Sequence, residues 1–247
     1  MLRAHAGFLV SAWGEGPPRV VALHGWRRSH SDFDALGGLL GSAIPGIAPD
    51  LPGFGSAPPP SAPWGSREYA EALAVLLEEA AVVRGPLVVV GHSLGGRIAV
   101  RLAASRPELV AGLVLAAAPL VRLGQPRKVP FVYRAARAAS RRHLVPGSVL
   151  EAARRRWGSS DYLASTGIMR DVLVRIVNES YEDDLQKISA PVELVWGDGD
   201  REVPIEVARR LEELLAQAKL TILSGVGHMV PLEAPSALAE AVERLAP

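Results

Sequence analysis

The chain of 247 residues contains no cysteine. That excludes disulfides, thiolate metal sites and a cysteine nucleophile, and leaves the redox compartment open. An excess of either charge is also missing. The 27 Lys+Arg and 26 Asp+Glu leave a formal net charge of +1, so there is no overall pull toward nucleic acid or membrane. No uninterrupted apolar run reaches the roughly 18 residues of a membrane-spanning helix. The opening M-L-R-A-H-A-G-F-L-V-S-A-W-G-E-G is too short and interrupted for a signal sequence. The expectation is a soluble, cytoplasmic protein with no nucleic-acid partner and no stable membrane insertion. Apolar residues are plentiful, at 49% against 21% charged, enough to bury a large core. The length fits one α/β domain with an insertion, or two small domains.

Short β-rich runs alternate with helical patterns over the first half. Residues 8–13, 19–23, 47–50, 88–91 and 109–116 read as strands. A weak helix is expected over 32–42. A longer one, capped by Ser66, carries the stripe Tyr69, Leu73, Leu76, Leu77 and Ala80. A third runs from the Val88 strand through Ala104. This alternation predicts a mostly parallel sheet covered on both faces. The rhythm stops at Pro119. Up to about Ala190 no convincing strand occurs, Ser148-Val149-Leu150-Glu151 reads as a capping box, and Met169, Val172, Leu173, Ile176 and Val177 lie at helical spacing. This insertion is basic, with 13 Lys/Arg against 7 Asp/Glu over 119–190. Strands resume at Val192–Trp196 and Leu220–Leu223, with helices after Pro204 and from Pro235.

The chemistry centres on V-V-V-G-H-S-L-G-G at 88–96. A strand, a G-x-S-x-G turn and a helix follow one another, the setting in which such a serine is pushed out as a nucleophile. Gly91 and Gly95 lack a Cβ, so strand and helix can close around Ser93. A serine hydroxyl needs a base, and the base needs an orienting group. Of six histidines, His228 follows the last predicted strand, in G-V-G-H-M-V-P, and so reaches the edge that carries Ser93. His92 adjoins Ser93, but its side chain should point away. His5, His24, His30 and His143 lie elsewhere. The acid should follow the strand at 192–196, where G-D-G-D-R-E-V-P offers Asp198 and Asp200; Asp200 lies farther into the loop and is preferred, with Asp198 left to serve the turn. Asp50 precedes the serine and reads as a brace for the Pro/Gly loop after it. Two N–H groups should face the developing oxyanion. Leu94 supplies one, and the loop after residues 19–23 another, with Trp26 the natural donor. The other reading of His24-Gly25 is a simple tight turn.

These segments resemble the α/β-hydrolase family, of the type with a helical cap. H-G-W at 24–26, D-L-P-G-F-G-S at 50–56, G-H-S-L-G-G at 91–96, W-G-D-G-D-R-E-V-P at 196–204 and G-H-M-V-P-L-E-A-P at 227–235 occur in family order. The resemblance implies an α/β-hydrolase core of residues 1–118 and 188–247. A helical cap of residues 119–187 is inserted after the sixth core strand. It implies Ser93, Asp200 and His228 as a triad, the backbone N–H groups of Trp26 and Leu94 as an oxyanion hole, and no cofactor or metal. Relatives that cleave carbon–halogen bonds or epoxides carry aspartate at the elbow, so the serine speaks against those reactions.

The expected activity is a carboxylesterase acting through an acyl-enzyme on a small to medium, largely apolar ester, with water as second substrate. Trp26, Phe131, Tyr133, Trp157, Tyr162 and Met229 are candidate pocket residues, with Met169 beside them. The same constellation serves carbon–carbon bond hydrolases, thioesterases, lactonases, amidases and perhydrolases. A ligand receptor that keeps the pocket without turnover, and a membrane-surface lipase, are the readings from outside that group. The arginines at 141–142 and 154–156 would attract an acidic substrate or simply form a solvated helix face. Oligomeric state is not legible.

Overall fold

A computed structural model describes residues 3–5, 8–79, 85–124 and 160–246. Phe131, Tyr133, Trp157, His143, Ala80, the Ser148–Glu151 capping box and the arginines at 141–142 and 154–156 lie outside the described residues. The strands, in chain order, are β1 (Arg3–His5), β2 (Phe8–Trp13), β3 (Val20–Leu23), β4 (Gly46–Asp50), β5 (Leu87–His92), β6 (Val110–Ala116), β7 (Val192–Gly197) and β8 (Ala218–Leu223). Between and after them run helices α1 (Asp34–Leu40), α2 (Ser66–Glu79), α3 (Leu94–Ser105), α4 (Ser160–Ala164), α5 (Gly167–Ile176), α6 (Glu182–Leu185), α7 (Ile205–Leu214), α8 (Val230–Glu233) and α9 (Pro235–Leu245).

The eight strands form one sheet in the order β1-β2-β4-β3-β5-β6-β7-β8. β1 pairs with β2 and β2 with β4 antiparallel; every other pair is parallel. The sheet is mostly parallel and flanked by helices, as the resemblance implies. All residues of β3, β5 and β7 are buried, as expected of strands covered on both faces. α2 packs with α3, and α1 with α9. β1 lies beyond the sequence reading, since three residues carry no legible period.

The strand order fixes where chemistry can occur. β3 lies between β4 and β5, so the chain turns one way after β3 and the other way after β5. The C-terminal ends of β3 and β5 flank this switch point, with Leu23 opposite Gly91. A crevice opens at such a point, and the loops after parallel strands line it.

The start of α2 departs from the expected cap. Ser66 is the first helical residue, and its hydroxyl donates to the Glu179 carboxylate. That carboxylate also accepts the Ser66 N–H at 3.1 Å and the Tyr181 hydroxyl at 2.8 Å. Glu68 accepts the Gly65 N–H at 2.9 Å. The orphan N–H groups of the helix start are therefore met by carboxylates, one from far along the chain. Beside them Arg101 of α3 pairs with Asp184 of α6 and stacks on the Tyr181 ring, 4.6 Å from its centroid. The segment after α5 is thereby tied to α2 and α3. Glu179→Ala removes the carboxylate acceptor of the Ser66 and Tyr181 hydroxyls, and urea denaturation is expected to register a loss of about 2 kcal/mol.

Candidate active site

Ser93 occupies the turn between β5 and α3 with φ +50° and ψ −107°, a left-handed backbone that L-residues avoid. Close packing holds it there. A Cβ on Gly95 would lie 2.0 Å from the Leu23 carbonyl oxygen, and one on Gly91 2.6 Å from the Gly96 Cα. The Ser93 N–H donates to the Ala116 carbonyl at 2.9 Å, so the end of β6 anchors the turn. Leu94 opens α3, and its N–H has no carbonyl one turn earlier to bond.

Asp200 and His228 meet across the loops after β7 and β8. His228 Nδ1 lies 2.8 Å from Asp200 Oδ2. Asp200 Oδ1 accepts the N–H groups of Glu202 and Val203 at 2.8 and 2.9 Å. Burial pushes the Asp200 carboxyl up. The bonds from His228 and the two N–H groups outweigh that and hold it below the ordinary carboxylate range. Burial pulls His228 down, but its bond to Asp200, with the nearby charges of Asp200, Glu202 and Glu233, leaves it above the ordinary histidine value. Its other nitrogen, Nε2, lies 3.6 Å from Glu202. Asp198 serves a turn other than its own: its Oδ1 accepts the Gly225 N–H at 2.7 Å and so fastens the His228 loop to the Asp200 loop.

The H-G-W segment is more than a tight turn. His24 is fully buried. Its Nε2 accepts the Leu51 N–H at 3.0 Å, which leaves the proton on Nδ1, 2.8 Å from the Gly25 carbonyl oxygen. Burial lowers its pKa to about 4, so it stays neutral. The Arg28 N–H also reaches the Gly25 oxygen, at 3.3 Å. A peptide group is planar and trans, so its C=O and N–H point in opposite directions. Pinning the Gly25 carbonyl therefore aims the Trp26 N–H the other way. Among the described residues, neither the Trp26 nor the Leu94 N–H meets a protein acceptor. Asp50 braces its loop as expected, accepting the Ser56 N–H at 2.9 Å and, with its other oxygen, the N–H and ring of His30.

Ser93, Leu94, Trp26 and His228 line one cavity of about 190 Å³, together with Pro119, Leu173, Ile176, Val177 and Val203. Arg97, Asp161 and Glu202 also line it, and the sequence reading missed all three. Arg97 stands four residues after Ser93, one helical turn along the same face, a spacing that could have revealed it. Tyr162 and Met229 are not among the lining residues. Arg170 stacks over the Tyr162 ring instead, and the Met229 N–H is bound to Glu233 at 3.0 Å. Met169 lines a neighbouring cavity that shares the Trp26 wall. Among the described residues no three His, Asp or Glu side chains gather to hold a metal ion, and no helix is long and apolar enough to cross a membrane.

Comparison with known proteins agrees with this architecture. The chain is 34% identical over 257 residues to lipase LipV of Mycobacterium tuberculosis, spanning 94% of this chain and 95% of that one. It is 28% identical over 253 residues to a pimeloyl-[acyl-carrier protein] methyl ester esterase of Aromatoleum aromaticum, spanning 92% and 97%. A solved structure of a thermophilic esterase from Thermogutta terrifontis shares the fold, with a TM-score of 0.70 at 21% identity over 96% of this chain and 92% of that one. The model of the α/β-hydrolase family matches residues 20–241, and the chain belongs to that family.

Proposed function

We propose that this protein is a serine hydrolase of carboxylic esters, with Ser93 as nucleophile, His228 as general base and acid, and Asp200 as the group that orients His228. The observation that carries the reading is the cavity shared by a strained Ser93 and a His228 whose Nδ1 is held by Asp200. Ser93 Oγ attacks the ester carbonyl carbon while His228 Nε2 takes its proton. The tetrahedral oxyanion is met by the N–H groups of Trp26 and Leu94. Collapse breaks the bond to the alkoxy oxygen, which leaves as alcohol with the proton from His228. Water then attacks the acyl-serine with His228 again as base, releasing the acid. Residues 119–187 form the cap in this reading.

The lining supports a small, largely apolar acyl group. Trp26, Leu94, Pro119, Leu173, Ile176, Val177 and Val203 are seven of the twelve lining residues, and the volume is below the roughly 300 Å³ at which drug-sized pockets begin. The names of the relatives, lipase and methyl ester esterase, favour an oxygen ester over the other acyl substrates the same residues could serve.

Ser93→Ala is expected to lower turnover of p-nitrophenyl butyrate by about four to six orders of magnitude. Turnover near wild type would refute the assignment, and a burst without steady turnover in the wild type would favour a receptor. The base works only when neutral. Because His228 titrates above the ordinary value of about 6.5, kcat/KM should rise with pH through an inflection above that value. Asp200→Asn removes the stabilising carboxylate, so the inflection moves to lower pH while the rate falls roughly 10⁴-fold. His24→Phe frees the Gly25–Trp26 peptide and is expected to lower kcat roughly tenfold with little change in KM.

A further inference from the structure

The mechanism leaves one buried imidazole unused. His92 precedes the nucleophile and is 1% exposed. Its Nε2 lies 2.9 Å from the backbone carbonyl oxygen of His228, and the two rings stand 5.0 Å apart at 52°. A carbonyl only accepts, so the His92 proton sits on Nε2. The other nitrogen, Nδ1, is buried with no partner among the described residues. Nor is there room for one at Gly25, where a Cβ would come within 3.0 Å of Nδ1. A purely packing residue at this position would be better made of carbon, since an orphaned polar atom costs free energy. The single hydrogen bond from Nε2 is what the imidazole offers.

That bond reaches a part of the chain in need of fixing. His228 stands in S-G-V-G-H-M, with glycines at 225 and 227, and a loop of this kind has many backbone states. Four backbone bonds hold it from the outside or from the acid loop, one of them the Gly225 N–H given to Asp198 at 2.7 Å. Glu233 accepts the N–H groups of Gly227 and Met229 at 2.7 and 3.0 Å, and Gly199 donates to the Val226 carbonyl at 3.0 Å. None of these refers to the nucleophile. His92 does, because it is covalently next to Ser93.

We propose that His92 is a positioning residue: its Nε2–H, donated to the His228 carbonyl, locks the base loop to the nucleophile elbow and sets the distance over which the proton passes. This rests on the assignment of Ser93 and His228 above. Burial, and then the neighbouring His228, lower the His92 pKa to about 4. The ring therefore stays neutral and adds no like charge when His228 is protonated during turnover.

The test compares two substitutions of similar size. His92→Gln keeps an N–H near the Nε2 position, and His92→Met does not. Both are assayed with p-nitrophenyl butyrate, with His228→Ala and the wild type alongside and circular dichroism to verify folding. The Met variant is expected to lose roughly ten- to hundred-fold in kcat with KM within about twofold, the size of effect that an ångström of misplacement brings. The Gln variant should recover most of that loss. In proton NMR the downfield Nδ1–H signal of the His228–Asp200 bond should persist in the Gln variant and broaden in the Met variant. Equal kcat in the two variants, whether high or low, overturns the proposal, because the donor would then not matter. If the Met variant fails to fold, His92→Leu replaces it as the donor-free member; if the Gln variant fails, the Nδ1–H signal of the donor-free variant decides alone, and its persistence overturns the proposal. An active His228→Ala would instead overturn the base assignment on which the proposal rests. An inactive His228→Ala with equal Gln and Met variants removes only the role of His92.

Discussion

The burial of β5 between β3 and β6 is the constraint on which the rest depends. Val88, Val89 and Val90 are shut off from solvent on both faces of the sheet, and apolar burial of this kind dominates the free energy of folding. A slip of one residue would put a side chain where Gly91 meets α3, a place where a Cβ would lie 2.6 Å from the Gly96 Cα, so the register is held. The turn that ends it is therefore fixed in space, and with it Ser93. The neighbouring strands deliver the other chemical groups to the same edge: H-G-W after β3, the Ala116 carbonyl from β6, Asp200 after β7 and His228 after β8. Local sequence alone would leave each of these in a mobile loop. The common sheet gives them one frame.

Within that frame the protein uses three histidines in three ways, and the difference lies in the surroundings. His24 and His92 are buried with only backbone groups to bond, which keeps them neutral and makes each a directed donor. Both act on peptide groups, one aiming the Trp26 N–H and the other holding the His228 carbonyl. His228 has a carboxylate at its Nδ1 and another beside its Nε2, so its charged form is favoured. The residue proposed to accept a proton in the reaction is thus the one whose proton affinity is raised.

Much of this was legible in the sequence. The valine runs, the spacing of Tyr69, Leu73, Leu76 and Leu77, and the G-H-S-L-G turn each follow from a local period or a local steric demand. The strand-end positions of Asp200 and His228 followed from the parallel topology, and the structure brings the two within hydrogen-bond distance. What escaped depends on contacts distant in sequence. Ser66 has the chemistry of a cap, but Glu179 supplies its partner. Adjacency to Ser93 says that His92 points elsewhere, yet nothing local says that the His228 loop waits there. Tyr162 and Met229 were chosen for size and proximity in the chain; the Tyr162 ring lies under Arg170, and neither residue is among those lining the Ser93 cavity. Asp161 and Glu202 are polar and were passed over for an apolar pocket, although both border it.

The backbone angle at Ser93 has a consequence for how this protein tolerates change. A non-glycine residue held at φ +50° carries about 1–3 kcal/mol of strain, and glycine would carry almost none. The position proposed as the nucleophile is thus one where the fold would gain by losing its serine. Selection for thermal stability alone, applied to a library of this chain, would enrich glycine at 93 and discard the activity. A stabilised variant that keeps its serine must draw its gain from elsewhere, and screens for robustness in this scaffold need turnover as a second criterion.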